Sequence, residues 1–232
     1  MQWVLSVGLL IGCYLMGSIP FGLIFVKLST GKDIRHVESG RTGGTNAMRA
    51  AGFWIGLSTA IMDLIKGAAA VWLARILPGE TVWLEVLAPL ATILGHNYSV
   101  FLPERKANGK LHLRGGAGGA PCTGGTMGLW APSVLIILPI SGLIFYFIGY
   151  ASVTTLSVAV ISTIIFIITW LLGIMPWQYI VYGIVGGILL ALSLRPNIKR
   201  LIEGNERIVG FRARKKEKDH SSSSSNSSSS SS

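Results

Sequence analysis

Charge is what this chain has least of. Only 13% of its 232 residues are Asp, Glu, Lys or Arg, while 50% are hydrophobic; soluble domains carry about a quarter charged residues. An ordinary soluble globular domain is thereby excluded. Cysteine is nearly absent as well. Cys13 and Cys122 fall in or beside apolar segments, where cysteine acts as a small hydrophobe, so neither a disulfide frame nor a metal-ligand spacing is present. Two-residue alternation is missing from runs such as LSVAVISTIIFIITWLLGI, which argues against a barrel and leaves helices to satisfy the backbone in lipid. The first apolar run has no basic residue before it and no small-residue cleavage site, so it reads as a retained span rather than a cleaved signal. No internal repeat is visible.

What is present is apolar length. A helix of about 20 residues crosses a hydrocarbon core of roughly 30 Å. Seven such segments are predicted, near 3–27, 53–77, 82–102, 118–129, 130–149, 152–172 and 176–194. The fold class is therefore all-α, a polytopic integral membrane helix bundle. The positive charge lies between the segments: Lys32, Arg35, Arg41 and Arg49 after the first, Arg105, Lys106, Lys110 and Arg114 after the third, and nine Lys or Arg from Arg195 onward. The positive-inside rule puts these three regions on the cytoplasmic face and the N-terminus outside. An even number of crossings must then separate Gly116 from Arg195, so residues 118–149 cross twice or include a re-entrant piece. The run GAGGAPCTGGTMGLWAP fits a short or broken helix buried among neighbours. Residues 1–207 form one membrane domain, and the basic and serine-rich tail 208–232 is predicted to be disordered.

Four polar clusters share the cytoplasmic side. HVESGRTGGTNAMRAAG at 36–52 offers short donors in Ser39, Thr45 and Asn46, close backbone approach at Gly43 and Gly44, and a bidentate cation in Arg49. A helix starting near Thr45 would add free N–H groups that favour an anion. A loop of turn residues with topogenic arginines explains the same composition equally well. The second cluster, residues 94–125, contains His96 near a span end, where an ionisable group must face protein, water or ligand. It also contains Arg114-Gly115-Gly116-Ala117-Gly118-Gly119, a glycine-rich start to a helix without the Lys-Ser/Thr of a P-loop. Close packing at Gly124 and Gly128 is the alternative use of glycine here. The third, GYASVTTLS at 149–157, carries Tyr150, Ser152, Thr154 and Thr155, and the fourth, LRPNIKRLIEGNE at 194–206, carries Asn197, Lys199 and Arg200. Within the spans, Asp63 and Lys66 lie three apart on one helix face and are read as a structural pair facing the bundle. Glu85 is expected to reach the membrane interface.

In order and spacing these motifs resemble the bacterial membrane acyl-phosphate:glycerol-3-phosphate acyltransferase family. The resemblance covers residues 10 to about 207: GSIPFGLIFVKL, then VESGRTGGTNAMRAAG against S-G-N-x-G-A/G-T-N-x-x-R, then DLIKG, LGHNYSVFL, YASVTTLS and RPNIKRLIEGNE. It implies a seven-helix multi-pass protein of the bacterial plasma membrane, with its active-site loops and C-terminus cytoplasmic. The implied reaction moves a fatty acyl group from acyl phosphate to the 1-hydroxyl of glycerol 3-phosphate, forming lysophosphatidic acid for phospholipid synthesis. It uses neither acyl-CoA, a metal nor any other cofactor. The implied partners are the two substrates, membrane lipid and an enzyme that forms acyl phosphate, with no nucleic acid.

Carried over residue by residue, His96 and Thr155 are the expected catalytic pair. Ser39, Arg41, Thr45, Asn46, Arg49, Arg114, Gly115, Gly116, Gly118, Ser152 and Asn197 are the expected substrate-binding set. The chain departs from the family pattern in three places. Arg41 replaces an asparagine, Thr155 replaces a serine but keeps its hydroxyl, and Ala117 stands where a G-G-K-G core carries lysine. About ten extra residues, PERKANGKLHL, precede that core. Arg41, Lys110 or Arg114 is expected to supply the missing charge. Two other functions fit less of the pattern: a non-catalytic homologue that binds a phosphorylated lipid or a partner, suggested by Ala117, and a small transporter, disfavoured because its polar motifs would sit near the midplane of repeated halves.

Overall fold

The computed structural model describes residues 2–77, 81–105 and 109–208. Its regular structure is almost entirely helical: α1 (Gln2–Ser18), α2 (Phe21–Thr30), α3 (Gly44–Ala51), α4 (Phe53–Arg75), α5 (Val82–Asn97), α6 (Gly119–Leu129), α7 (Val134–Phe147), α8 (Ala151–Leu171) and α9 (Gln178–Ile202). Four stretches, Gln2–Thr30, Phe53–Arg75, Ala151–Leu171 and Gln178–Ile202, are long and apolar enough to cross a bilayer. Large apolar side chains such as Trp3, Leu135, Leu171 and Leu172 project outward, as expected where the surrounding medium is lipid. The tail beyond residue 208 lies outside the described residues.

The first apolar run is one candidate span, as expected, but it is not one continuous helix. It breaks between α1 and α2 at Ile19 and Pro20, because proline has no N–H to donate and crowds the preceding turn. The carbonyls of Gly17 and Ile19 lie at this break, and that of Ile19 also accepts from Phe21 N at 3.2 Å. Lys66 Nζ, from α4, answers both at 2.9 and 3.3 Å. The 82–102 segment is also shorter as a helix, ending at Asn97. It is followed by a hairpin that the sequence reading did not foresee, β1 (Pro103–Arg105) paired antiparallel with β2 (Leu111–Leu113), which accommodates the extra residues before the glycine core.

The stretch 118–149 resolves into a short helix followed by a longer one. At 11 residues, α6 spans roughly 16 Å, about half a hydrocarbon core. Glycines let it press against α4: a Cβ at Gly124 would overlap the carbonyl oxygen of Leu64, and one at Gly67 the carbonyl oxygen of Pro121. This is the close packing anticipated at Gly124. The core centres on Phe166, Tyr182, Leu190, Ile93 and Val86, from α5, α8 and α9.

The C-terminal carbonyls of α6 end inside the protein and need donors. Arg75 provides them, with Nη1 2.9 Å from Gly128 O and Nη2 3.1 Å from Leu129 O. Its Nε meets Glu85 Oε2 at 2.8 Å, and Tyr179 OH donates to the same carboxylate oxygen at 2.6 Å. Glu85 was expected at the interface. Instead it is 8% exposed, since a carboxylate can be buried when charge and hydrogen bonds match it.

Candidate active site

Three helices start around one cleft of ≈ 270 Å³ at the end of the bundle opposite Arg75. Gly43, Gly44 and Thr45 belong to the start of α3, Gly118, Gly119 and Ala120 to α6, and Ala151, Ser152 and Thr155 to α8. The first N–H groups of a helix have no partner within it, so these termini gather donors and positive helix-dipole ends around one space. Gly118 enters α6 with φ 87, a left-handed conformation that favours glycine. Arg41, Arg49, Arg200 and Arg207 bring positive charge to the lining, and Glu38, Asp63 and Glu206 bring carboxylates.

Arg49 lies in the last turn of α3, half-buried. No hydrogen-bond or ion-pair partner for it is found among the described residues. Burial pulls its pKa below the ordinary 12.5 and the Glu206 charge partly restores it, leaving a cation whose guanidinium is free for an oxyanion. The Thr155 hydroxyl, one turn into α8, is similarly free. Ser39 and Thr45 also line the space.

Arg41 is different, because both of its terminal nitrogens are already engaged. Nη1 meets Gly116 O at 3.2 Å and Ser193 Oγ at 3.0 Å, and Nη2 meets Ser193 O at 2.5 Å and Asn197 Oδ1 at 3.2 Å. Burial, then the nearby Arg200 charge, lowers its pKa. Arg41 therefore ties the first polar loop to α9 and to the glycine core. Asn46 is likewise committed: Nδ2 donates to Ile34 O, Val37 O and Arg41 O at 3.3, 3.0 and 2.8 Å, shaping the loop from within. At the loop's outer edge, the Arg35 guanidinium holds the Asp33 carboxyl down at about 2.

Three expected site residues stand outside the lining. Arg114 Nε pairs with Glu104 Oε2 at 2.5 Å and Nη1 donates to Arg35 O at 2.9 Å, so it braces the hairpin against the first loop. Gly115 and Gly116 pack against the end of α5 instead of facing the space. Gly116 N donates to His96 O at 2.8 Å, and a Cβ at Gly116 would overlap the His96 ring. Lys110 does not line the cleft either, so Arg41 alone, of the three residues expected to replace the missing lysine, reaches it. Ala117 does face the cleft.

The sequence reading missed Glu206. Its Oε2 accepts from Ser152 Oγ at 2.5 Å and its Oε1 from Asn197 Nδ2 at 3.2 Å, joining the third and fourth polar clusters. Arg207 pairs with Glu38 across the mouth. A usable signal was available: of the two acids in this otherwise basic motif, Glu203 lies four residues after Lys199 and pairs with it, which leaves Glu206 for another partner. Asp63 and Lys66 are the buried pair expected, at 2.7 Å, and His96 joins them.

A family model described as glycerol-3-phosphate acyltransferase matches residues 7–204. The chain belongs to the glycerol-3-phosphate acyltransferase family. Among its relatives, a glycerol-3-phosphate acyltransferase of Gloeobacter violaceus is 32% identical over 213 residues, covering 90% of this chain and 98% of that one. One of Thermus thermophilus is 35% identical over 208 residues, covering 90% and 97%. The crystal structure of PlsY (YgiH), an integral membrane glycerol 3-phosphate acyltransferase, in its glycerol 3-phosphate form shares the fold with a TM-score of 0.75 at 30% identity, covering 90% of this chain and 97% of that one. Its lysophosphatidic acid form matches with a TM-score of 0.73 at 29% identity. As a family member, the chain is an integral membrane protein built of helices.

Proposed function

We propose that the protein transfers a fatty acyl group from acyl phosphate to the 1-hydroxyl of glycerol 3-phosphate, releasing inorganic phosphate and lysophosphatidate. The observation that carries this reading is the convergence of three helix starts and the unpaired Arg49 on one cleft in a member of this family. Both substrates carry phosphate, and such a cleft suits anions.

The acyl carbon of an acyl phosphate already bears a good leaving group. The glycerol oxygen forms the new bond, the acyl–oxygen bond to phosphate breaks, the hydroxyl proton passes to a phosphate oxygen of a substrate, and no protein nucleophile is required. Holding the two substrates together and stabilising the charge that develops on the acyl oxygen and the leaving phosphate are then the main tasks. In this reading Arg49 and the α3 start grip one phosphate, the α6 start and Thr155 face the reacting groups, and Arg41 with Asn197 and Ser152 keeps the walls in place. Arg49 and Arg200 supply cation where Ala117 cannot. Seven membrane segments with the N-terminus outside put this cleft at the cytoplasmic face, where a separate acyl-phosphate-forming enzyme delivers the donor.

Purified protein incubated with acyl phosphate and glycerol 3-phosphate is expected to form lysophosphatidate. Absence of product across both substrate ranges would sink the enzymatic reading. Saturable glycerol 3-phosphate binding without product would favour the non-catalytic homologue, which the alanine at position 117 makes the competing reading.

A further inference from the structure

An ammonium group has three N–H donors and no acceptor. Lys66 Nζ directs its donors at Gly17 O at 2.9 Å, Ile19 O at 3.3 Å and His96 Nδ1 at 2.9 Å. The first two are carbonyls at the α1–α2 break. The third contact requires a lone pair on Nδ1, because a protonated Nδ1 would set donor against donor at hydrogen-bond distance. Asp63 Oδ1 lies 2.7 Å from Lys66 Nζ, and with side chains 3% and 2% exposed the two charges have to remain together. The same oxygen is 3.4 Å from His96 Nδ1, too far to be the closer claimant on that nitrogen. A neutral imidazole carries a single N–H, so the proton resides on Nε2. That nitrogen abuts Gly116, has no hydrogen-bond partner among the described residues, and belongs to a ring that lines the cleft.

We propose that Lys66 is a positioning residue that holds His96 as the Nε2–H tautomer, so that the ring nitrogen without a protein partner presents a hydrogen-bond donor for a substrate oxygen. The tautomer stands on the contacts alone; the substrate oxygen as its target rests on the proposed acyl transfer.

The tautomer can be read directly from the ring-nitrogen shifts of protein labelled with ¹⁵N-histidine, the His96 signals being assigned by their loss in His96→Gln. The expected spectrum has a bare Nδ1 and a protonated Nε2. A proton on Nδ1, or on both nitrogens, overturns the proposal whether or not the protein is active. In Lys66→Met the pure Nε2–H signature should give way to a mixture; its persistence in folded variant removes Lys66 from the role. Glutamine ends in an amide N–H near the position of Nε2. His96→Gln is therefore expected to keep activity within about 10-fold of the parent and His96→Leu to lose about 100-fold. Equal losses in the two would overturn the donor role. Should the parent make no lysophosphatidate, the acyl-transfer reading fails while the nitrogen shifts still decide the tautomer.

Discussion

Two charged clusters sit at opposite ends of the same bundle. Around Arg75, each nitrogen of the guanidinium meets a carbonyl, a carboxylate or a phenol, and Glu85 is matched by Arg75 and Tyr179. Around the cleft, the terminal nitrogens of Arg41 and the amide nitrogen of Asn46 are engaged too, but Arg49 and the Thr155 hydroxyl have no partner among the described residues. The difference separates polar groups that hold helices together from those left free for a ligand. Both kinds lie where ionisable groups are costly; only the second kind leaves donors waiting.

The largest effect should come from removing a waiting donor. Arg49→Ala is expected to lower kcat/KM about 100-fold, the scale of a lost charge-assisted contact to a reacting anion. Its membrane insertion and melting temperature should stay near those of the parent. The comparison breaks if the variant melts early while keeping its activity.

Arg75→Ala should behave in the opposite way. Removing one member of a buried pair costs about 3–5 kcal/mol. Arg75 is partly exposed, so a loss of about 2 kcal/mol is expected, read as a lower melting temperature in detergent. The KM values of the protein that remains folded should be little changed. A selective rise in KM would place the far cluster in the substrate path.

Thr155 tests the cleft at a finer scale. Thr155→Val keeps the shape and removes the hydroxyl, for an expected loss of about 10-fold in kcat. Thr155→Ser should recover most of it, and a valine variant as active as the serine variant would take that hydroxyl out of the reaction. The smallest effect is expected for Arg114→Ala. Its partners Glu104 and Arg35 O lie outside the cleft, and exposed pairs contribute about 0–1 kcal/mol, so turnover should change by less than about 2-fold. A larger loss of turnover would mean that the hairpin brace shapes the site.

Apolar periodicity and charge placement made the helices and their broad order legible, because each depends on a local run of sequence. The gathering of four polar clusters was legible too, since they lie at the ends of segments running in alternating directions. Distinguishing brace from ligand was not. Arg41 and Arg49 look alike in sequence, yet Arg41 meets Ser193, 152 positions away, and that partner determines its task. Lys66 could be paired with Asp63 from helical spacing, while its reach to His96, 30 positions on, depended on how α4 meets α5. The hairpin escaped notice because three-residue strands carry too little alternation to register. Pro20 did mark the break in the first span, but the apolar residues on both sides outweighed it in a reading based on hydropathy.

The short helix α6 lies inside the protein: Gly118 opens it beside the cleft, and Arg75 closes it about half a membrane away. A thicker or thinner bilayer can tilt the outer helices, which meet lipid along their lengths, but it has little purchase on this internal strut. The depth at which two phosphates would meet is set by eleven residues of protein rather than by the lipid in which the enzyme happens to sit.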